Sequence, residues 1–404
     1  MSARAVRLAK CGRNASVAAG AGLLAVYGYG GARFRRTSRR GFDLDDPPPP
    51  DGAPFAHLVE TVTGAPLRPG NRVEVLRNGC QTFPAMLEAI AGARRSVDFS
   101  SYIYWPGEIT DRFTEAFIER ARAGVEVNVV LDGYGSAKLD RDHVARLERG
   151  GVSVEFFLPP RWYTLHKLNN RIHRRLLIVD GEMGFAGGVG IADVWTGDAQ
   201  DPEHWRETHL RVEGPAVRDI LAGFAENWTE ATGRILARHR LAELAPLPDG
   251  CDLQGVRSSP TTAGTPTAPL FYAAIAGAQK RLWLTTAYFA AGEAFVAALA
   301  DAARRGVDVR LLTNGPNVDK EVCAGRGSAA TAGFSRPACG SSNTSRRCCT
   351  PKSCWSTAGP TWARPTSTTA PLRSTPSSAC APPTPPWSGR WPSSSVRTSP
   401  PPRS

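Results

Sequence analysis

The fold is decided by two similar stretches, AGVEVNVVLDG at Ala123–Gly133 and RGVDVRLLTNG at Arg305–Gly315. Each follows an amphipathic helical segment, and in each a glycine ends the helix before an apolar strand begins. The string AIAGA, at 89–93 and again at 274–278, precedes another apolar strand in both copies. Strand, helix and strand in this order predict parallel pairing through a crossover, so we expect two α/β halves related by pseudo-symmetry.

Between the two copies lies the sequence RIHRRLLIVDGEMGFAGGVG, from Arg171 to Gly190. Its apolar run at 176–179 predicts a short buried strand. Side chains alternate along an extended chain, so His173 and Arg175 are predicted on one side of it. The same alternation places Arg174 on the other side, where it could not simply replace Arg175.

The groups in this motif suit a reaction at a phosphodiester. An imidazole such as His173 can attack phosphorus covalently, and a cation such as Arg175 can hold the phosphate oxygens. A carboxylate such as Asp180 can orient the imidazole, while Gly187 and Gly188 allow backbone to approach a ligand closely. This chemistry requires neither a metal nor a cofactor. The residues alone also fit a strand end with a surface histidine and two arginines.

The pattern His-x-Arg-x4-Asp-x6-Gly-Gly resembles the signature of the phospholipase D superfamily, whose fold places two such motifs at one site. Between about residue 70 and Lys320 the chain is similar to bacterial cardiolipin synthases, through the strings YIYWPGE at 102–108, DGYGSAK at 132–138, GFAGGVGIADVW at 184–195 and WRETHLRVEGP at 205–215. The family has lysine where this chain has Arg175. Arginine keeps the charge but is fork-shaped, so we expect phosphate binding to survive with altered geometry.

The resemblance implies a phosphatidyltransferase that moves a phosphatidyl group between phosphatidylglycerols through a phosphohistidine. It implies that His173 is the nucleophile or its general-acid partner, that Arg175 holds phosphate, and that Asp180 orients the imidazole; Gly187 and Gly188 would bind substrate. The implied partners are an anionic phospholipid and a membrane surface. The implied location is the cell membrane or its surface, with the cytoplasmic side as one option. A phosphodiesterase or nuclease of the same superfamily and an inactive remnant are the alternatives, and the apolar N-terminus favours lipid over nucleic acid.

The chain is predicted to have four parts. In the first, the apolar stretch 15–32 between basic flanks predicts a membrane anchor or interfacial segment, with a disordered leader as the alternative. Pro47–Pro50 then predict a stiff linker. The four parts are a leader and linker at 1–50, the first phospholipase D-like half at 51–245, the start of the second half at 246–322 and a tail at 323–404.

The tail differs in composition from the rest of the chain. The net charge is +12, but the residues after Glu321 include 10 Lys or Arg and no Asp or Glu, so the remainder is close to neutral. The basic balance therefore does not indicate a nucleic-acid partner. Six of the nine cysteines also lie in the tail, and the three others are widely spaced, which predicts free thiols in a reducing compartment.

A second motif is expected 35 to 40 residues after Gly315, yet no histidine follows His239, so the second half is predicted to be incomplete. One interpretation of the tail is disorder. The other is an out-of-frame translation of a GC-rich gene, with the frame changing between Cys323 and Ala330. RCCTPKSCWSTA at 347–358 can be encoded by codons that, read from the third base, give Met-Leu-His-Ala-Lys-Val-Leu-Leu-Val-Asp-Gly, which contains the missing motif.

Overall fold

The computed structural model describes residues 41–314 except 43, 160–169, 237–240, 242, 259–266 and 290, together with residue 22 and the strand at 340–344. The helices are α1 Ala53–Thr63, α2 Asn78–Ala91, α3 Glu108–Arg122, α4 Arg141–Arg149, α5 Val217–Thr232, α6 Thr267–Gly277 and α7 Glu293–Arg304. The strands are β1 Leu67–Arg77, β2 Ser96–Ser101, β3 Glu126–Asp132, β4 Ser153–Phe157, β5 Leu176–Val179, β6 Met183–Gly187, β7 Thr208–Glu213, β8 Cys251–Gln254, β9 Arg281–Thr286, β10 Asp308–Asn314 and β11 Gly340–Thr344.

Eight strands form one mixed sheet in the order β4-β3-β2-β5-β6-β7-β1-β8. The β2–β3 and β3–β4 pairs are parallel, and the other neighbours are antiparallel. The cores on its two faces are built by α2, α3 and α4 on one side and by α5 on the other. The predicted α/β class, a mixed sheet flanked by helices, is confirmed.

The short strand β5 is buried on both of its faces, as its apolar run predicts. Leu177 and Val179 belong to the core beneath α2 and α3. Leu176 and Ile178 belong to the core beneath α5, together with Phe224. A strand buried on both faces reads as a continuous apolar run rather than an alternating one.

The internal repeat is confirmed by the pairing of its strands. In the first half Ser96 of β2 lies opposite Glu126 of β3, and in the second half Arg281 of β9 lies opposite Asp308 of β10. These four residues are equivalent positions of the repeat, so both parallel pairs share one register. Both crossover helices end before a glycine with positive φ, as their sequences predict.

The predicted boundary between residues 245 and 246 does not separate two packing units. Strand β8, predicted in the second half, pairs with β1 and so completes the first sheet. Its Gln254 side chain donates to the backbone oxygens of Ala56 and Ala65, at 2.9 and 3.0 Å. The open edge of β1 explains this difference, because an unpaired strand edge needs hydrogen-bond partners.

The predicted linker and the helix after it also cross the predicted boundary. Phe55 and Val59 of α1 form one apolar cluster with Leu270 of α6. The Phe42 and Tyr272 rings lie 5.3 Å apart between centroids, so the chain before α1 packs against α6 as well. Burial of these apolar side chains holds the segment in place.

Strand β11 overturns the prediction of disorder within the tail at 340–344. It pairs in parallel with β10, with Gly340 opposite Arg310. In the first half Ser153 of β4 lies opposite Asn128 of β3. Arg310 and Asn128 are equivalent positions of the repeat, so β11 occupies the position of β4. The rest of the tail and the apolar stretch at 15–32, apart from residue 22, lie outside the described residues.

None of the helices in the described part of the chain combines the length and the apolar character that a membrane crossing requires. In the same part, neither Cys80 nor Cys251 forms a disulfide.

Replacing either repeat glycine by alanine should destabilise its half through backbone strain alone. Gly124 and Gly306 have φ of 87° and 90°, and an added Cβ at either would meet no atom within 4 Å. We expect Gly124→Ala and Gly306→Ala each to lower the free energy of unfolding by about 1–2 kcal/mol, measured by urea denaturation. The control is Gly92→Ala, at a helix end with φ −80°. Equal stability of the three variants would contradict this account.

Candidate functional site

His173 and Arg175 meet at the ring of Tyr102, the residue that follows β2. The imidazole of His173 lies 4.3 Å from the Tyr102 ring between centroids. The guanidinium carbon of Arg175 lies 5.9 Å from the same ring centroid. The two side chains therefore share one side of the chain, as strand alternation predicts.

Arg174 points away from this group. Its guanidinium donates to the backbone oxygen of Gly223 in α5 at 2.8 Å and lies 2.7 Å from the Glu226 carboxylate. It also donates to the backbone oxygen of Ser258 at 3.0 Å. These contacts hold Arg174 against α5, so it takes no part in the site.

Asp132, at the end of β3, fixes the chain immediately before His173. One carboxylate oxygen accepts the backbone N–H of Ile172 at 2.9 Å. The other accepts the N–H groups of Tyr134 and Gly135, each at 2.9 Å. Burial raises the pKa of Asp132, and these backbone hydrogen bonds oppose that rise. The residue positions the site rather than reacting in it.

The Arg175 side chain is buried, with 2% of the residue exposed. Its Nη1 donates to the backbone oxygen of His173 at 3.3 Å. Its Nε and Nη2 have no acceptor among the described residues. Burial lowers the pKa of Arg175 to about 10, against the opposing influence of Glu207, so the group remains cationic at neutral pH.

Strand register places Arg175 in a row with Gly187 and His209. Leu176 of β5 lies opposite Ala186 of β6, so the preceding Arg175 faces Gly187. Gly187 in turn lies opposite His209 of β7. A Cβ on Gly187 would lie 2.6 Å from ring atoms of His209. The glycine therefore lets the imidazole lean over β6 toward Arg175.

His209 is held as a neutral imidazole. The residue is 1% exposed, and its burial and the nearby Arg175 charge lower its pKa to about 3. Neither ring nitrogen has a hydrogen-bond partner in the part of the chain that the structure describes.

Glu207 supplies a buried carboxylate on the same side of the sheet. Glu207 precedes His209 by two residues, just as His173 precedes Arg175. It therefore lies on the same side of the sheet as His209, toward the end of the row at which His173 lies. Its backbone N–H donates to Asn78 Oδ1, and its backbone oxygen accepts the N–H of Asn78, both at 2.9 Å. A Cβ on Gly188 would overlap the Glu207 carboxyl group.

The role predicted for Gly187 and Gly188 needs correction. The sequence predicts that both glycines let backbone approach a ligand. In the structure the space above them is taken by His209 and Glu207, so the glycines admit two side chains of the same chain.

The prediction that Asp180 orients the imidazole is wrong. Asp180 lies beyond the far end of β5, whose four residues alone span about 13 Å. Its carboxylate accepts the backbone N–H groups of Arg94, Arg95 and Ser96 at 3.0, 2.7 and 2.9 Å. It ties the turn after β5 to the start of β2.

Four residues of the site were not predicted as site residues: Tyr102, Asp132, Glu207 and His209. Glu207 and His209 did leave a signal, since they stand two apart where an alternating polar and apolar segment begins. That signal needs the register of β6 and β7 to be read, and register is not visible in the sequence.

Residues 86–227 and 271–336 match the family described as cardiolipin synthase, PLD-like domain. Cardiolipin synthase A of Pseudomonas aeruginosa is 37% identical over 62% of this chain and 51% of that protein. Cardiolipin synthase of Halalkalibacterium halodurans is 31% identical over 63% of this chain and 51% of that protein. The chain thus spans about half the length of the curated relatives it matches. Phosphatidylserine synthase of Haemophilus influenzae superposes with a TM-score of 0.49 and 12% identity, over 68% of this chain and 71% of that one.

Asp180→Ala should weaken folding rather than the phosphate chemistry. Removing a carboxylate that accepts three backbone N–H groups should lower the free energy of unfolding by about 3 kcal/mol, measured in urea. Asp180→Asn keeps one acceptor oxygen and tolerates the left-handed φ of 54°, so its loss should be less than half as large. A fully stable Asp180→Ala protein would refute the structural role.

Burial of neutral His209 should make stability depend on pH. The pKa of His209 in the folded protein lies below the ordinary value of 6.5. As the pH falls, the imidazole therefore binds a proton in the unfolded chain before it does so in the folded one. Stability is therefore lost as pH falls from about 6.5 toward 3. Between pH 7 and 5 the unaltered protein should lose about 2 kcal/mol more than His209→Phe, measured by urea denaturation at both pH values. Equal losses would contradict the neutral assignment.

Proposed function

The chain belongs to the cardiolipin synthase family with a phospholipase D-like domain, and from this premise we propose that its first half supplies one half of a phosphatidyl-transfer site. The observation that supports the proposal is the packing of His173 on Tyr102 beside the buried cation Arg175. The substrate class proposed is an anionic phospholipid such as phosphatidylglycerol.

In the proposed reaction an imidazole nitrogen bonds to phosphorus while the bond from phosphorus to the glycerol oxygen breaks. The departing glycerol oxygen takes a proton from a second imidazole. A hydroxyl of another phosphatidylglycerol then gives its proton to that imidazole and attacks phosphorus, and the first imidazole leaves. His173 acts as the nucleophile or as the proton-transferring partner.

Arg175 and Glu207 have separate roles in this scheme. The Arg175 guanidinium holds the equatorial phosphate oxygens, where negative charge accumulates in the transition state. Glu207 lies on the His173 side of the same register and takes the part first assigned to Asp180, stabilising the imidazole in its charged form. The burial of both groups strengthens these interactions, because the surroundings are less polar than water.

We also propose that the chain as written does not turn over substrate. The scheme needs two imidazoles, and no histidine follows His239. The out-of-frame interpretation of the tail would account for this, since one choice of codons gives a histidine near position 350 in the alternative frame. The apolar stretch 15–32 is proposed to bring the protein to the cell membrane.

Three proteins would test the scheme: the chain as written, a restored chain with residues after 322 taken from the alternative frame, and the restored chain with His173→Ala. Each is incubated with phosphatidylglycerol vesicles, and cardiolipin is measured by mass spectrometry. Only the restored chain with His173 should form cardiolipin. Turnover by the chain as written would overturn the proposal, and plasmid nicking without lipid transfer would favour the nuclease alternative.

The two acidic residues should behave differently in the restored chain. Glu207→Gln should lower kcat by a factor of about 10² or more, because the imidazole loses its carboxylate partner. Asp180→Asn should keep kcat within a few-fold, measured at a temperature where both variants are folded. Equal losses from the two substitutions would refute the reassignment from Asp180 to Glu207.

A further inference from the structure

Arg175 and His209 together leave four buried nitrogen atoms without partners. These are Nε and Nη2 of Arg175 and both ring nitrogens of His209, judged over the part of the chain that the structure describes. The two residues lie in one cross-strand row, with only Gly187 between them. The unpartnered atoms therefore belong to one place in the molecule.

Burying such groups costs free energy unless a partner satisfies them, so a buried imidazole with neither nitrogen bonded calls for a functional reason. A core position would be filled at lower cost by an apolar ring. Gly187 adds to this reasoning, because it has no side chain where one would push the His209 ring away from Arg175.

The chemistry of the two side chains fits a tetrahedral oxyanion. Arg175 offers N–H groups from two adjacent nitrogens, which match two phosphate oxygens. A neutral imidazole carries one N–H donor and one acceptor nitrogen. It can thus donate to a phosphate oxygen without placing a second positive charge beside the guanidinium.

We propose that His209 is a second phosphate-binding residue, which donates a ring N–H to an oxygen of the phosphate that Arg175 holds. The proposal rests on the proposed function, because it assumes that the ligand of Arg175 is a phosphate. It extends that function by adding a neutral hydrogen-bond donor, His209 of β7, which lies two strands away from Arg175 in the sheet.

The test uses the full chain as written and inorganic phosphate as the probe, with binding followed by calorimetry. His209→Phe keeps the ring but removes both nitrogens, and it should weaken phosphate binding at least tenfold, or about 1.4 kcal/mol. His209→Gln retains a donor and should bind within about threefold of the unaltered chain. Arg175→Met should abolish binding.

The outcomes separate the two proposals. If Arg175→Met abolishes binding and His209→Phe binds like the unaltered chain, the role of His209 is refuted and the proposed function stands. If Arg175→Met binds normally, the phosphate role of Arg175 itself is refuted. Should His209→Phe fail to fold, the ¹⁵N resonances of the His209 ring in the unaltered chain decide. Phosphate must shift its N–H signal, and an unchanged signal would overturn the proposal.

Discussion

A guanidinium buried at the end of a short strand is the constraint on which the rest of the site depends. A buried charge costs several kcal/mol unless nearby groups compensate it. Here compensation comes from the Glu207 carboxylate, the backbone oxygen of His173 and the Tyr102 ring. Glu207 is fixed in turn through its backbone by Asn78 and reaches inward because Gly188 leaves room. Burial also keeps the cation away from bulk water, where it would be screened most strongly.

Two carboxylates hold the strand that carries this cation. Asp132 binds the backbone just before His173, and Asp180 binds the backbone at the start of β2, beyond the other end of β5. Since β5 is buried on both faces, its position across the sheet is set by packing, and these carboxylates fix its ends. The acidic residue of the motif therefore fixes the backbone around the site, while Glu207, just before β7, is the carboxylate whose charge acts on Arg175.

The sequence alone predicted those features of the fold and site that depend on a pattern within one segment. The repeat, the glycines at the helix ends, the buried run at 176–179 and the shared side of His173 and Arg175 all follow from period and spacing along one segment. Glu207 and His209 could not be found in this way, because their place beside Arg175 depends on the register of three strands. The pairing of β8 with β1 was missed for a similar reason, because it joins residues about 180 positions apart. It depends on the unpaired edge of β1, which no local sequence pattern reveals.

Pseudo-symmetry indicates where the proposed second motif strand would lie. In the first sheet β2 pairs with β3 on one side and with the motif strand β5 on the other. In the second sheet β9 pairs with β10 in the equivalent register, and β11 takes the position of β4. Within the described residues the other edge of β9 is unpaired, and it is the edge that β5 occupies in the first half. A strand bearing a second His-x-Lys motif would complete that edge and bring its imidazole to the pseudo-symmetric counterpart of the His173 position. In the proposed reaction one imidazole cannot attack phosphorus and protonate the leaving oxygen in the same step, so the proposed chemistry of the first half depends on a strand at that edge.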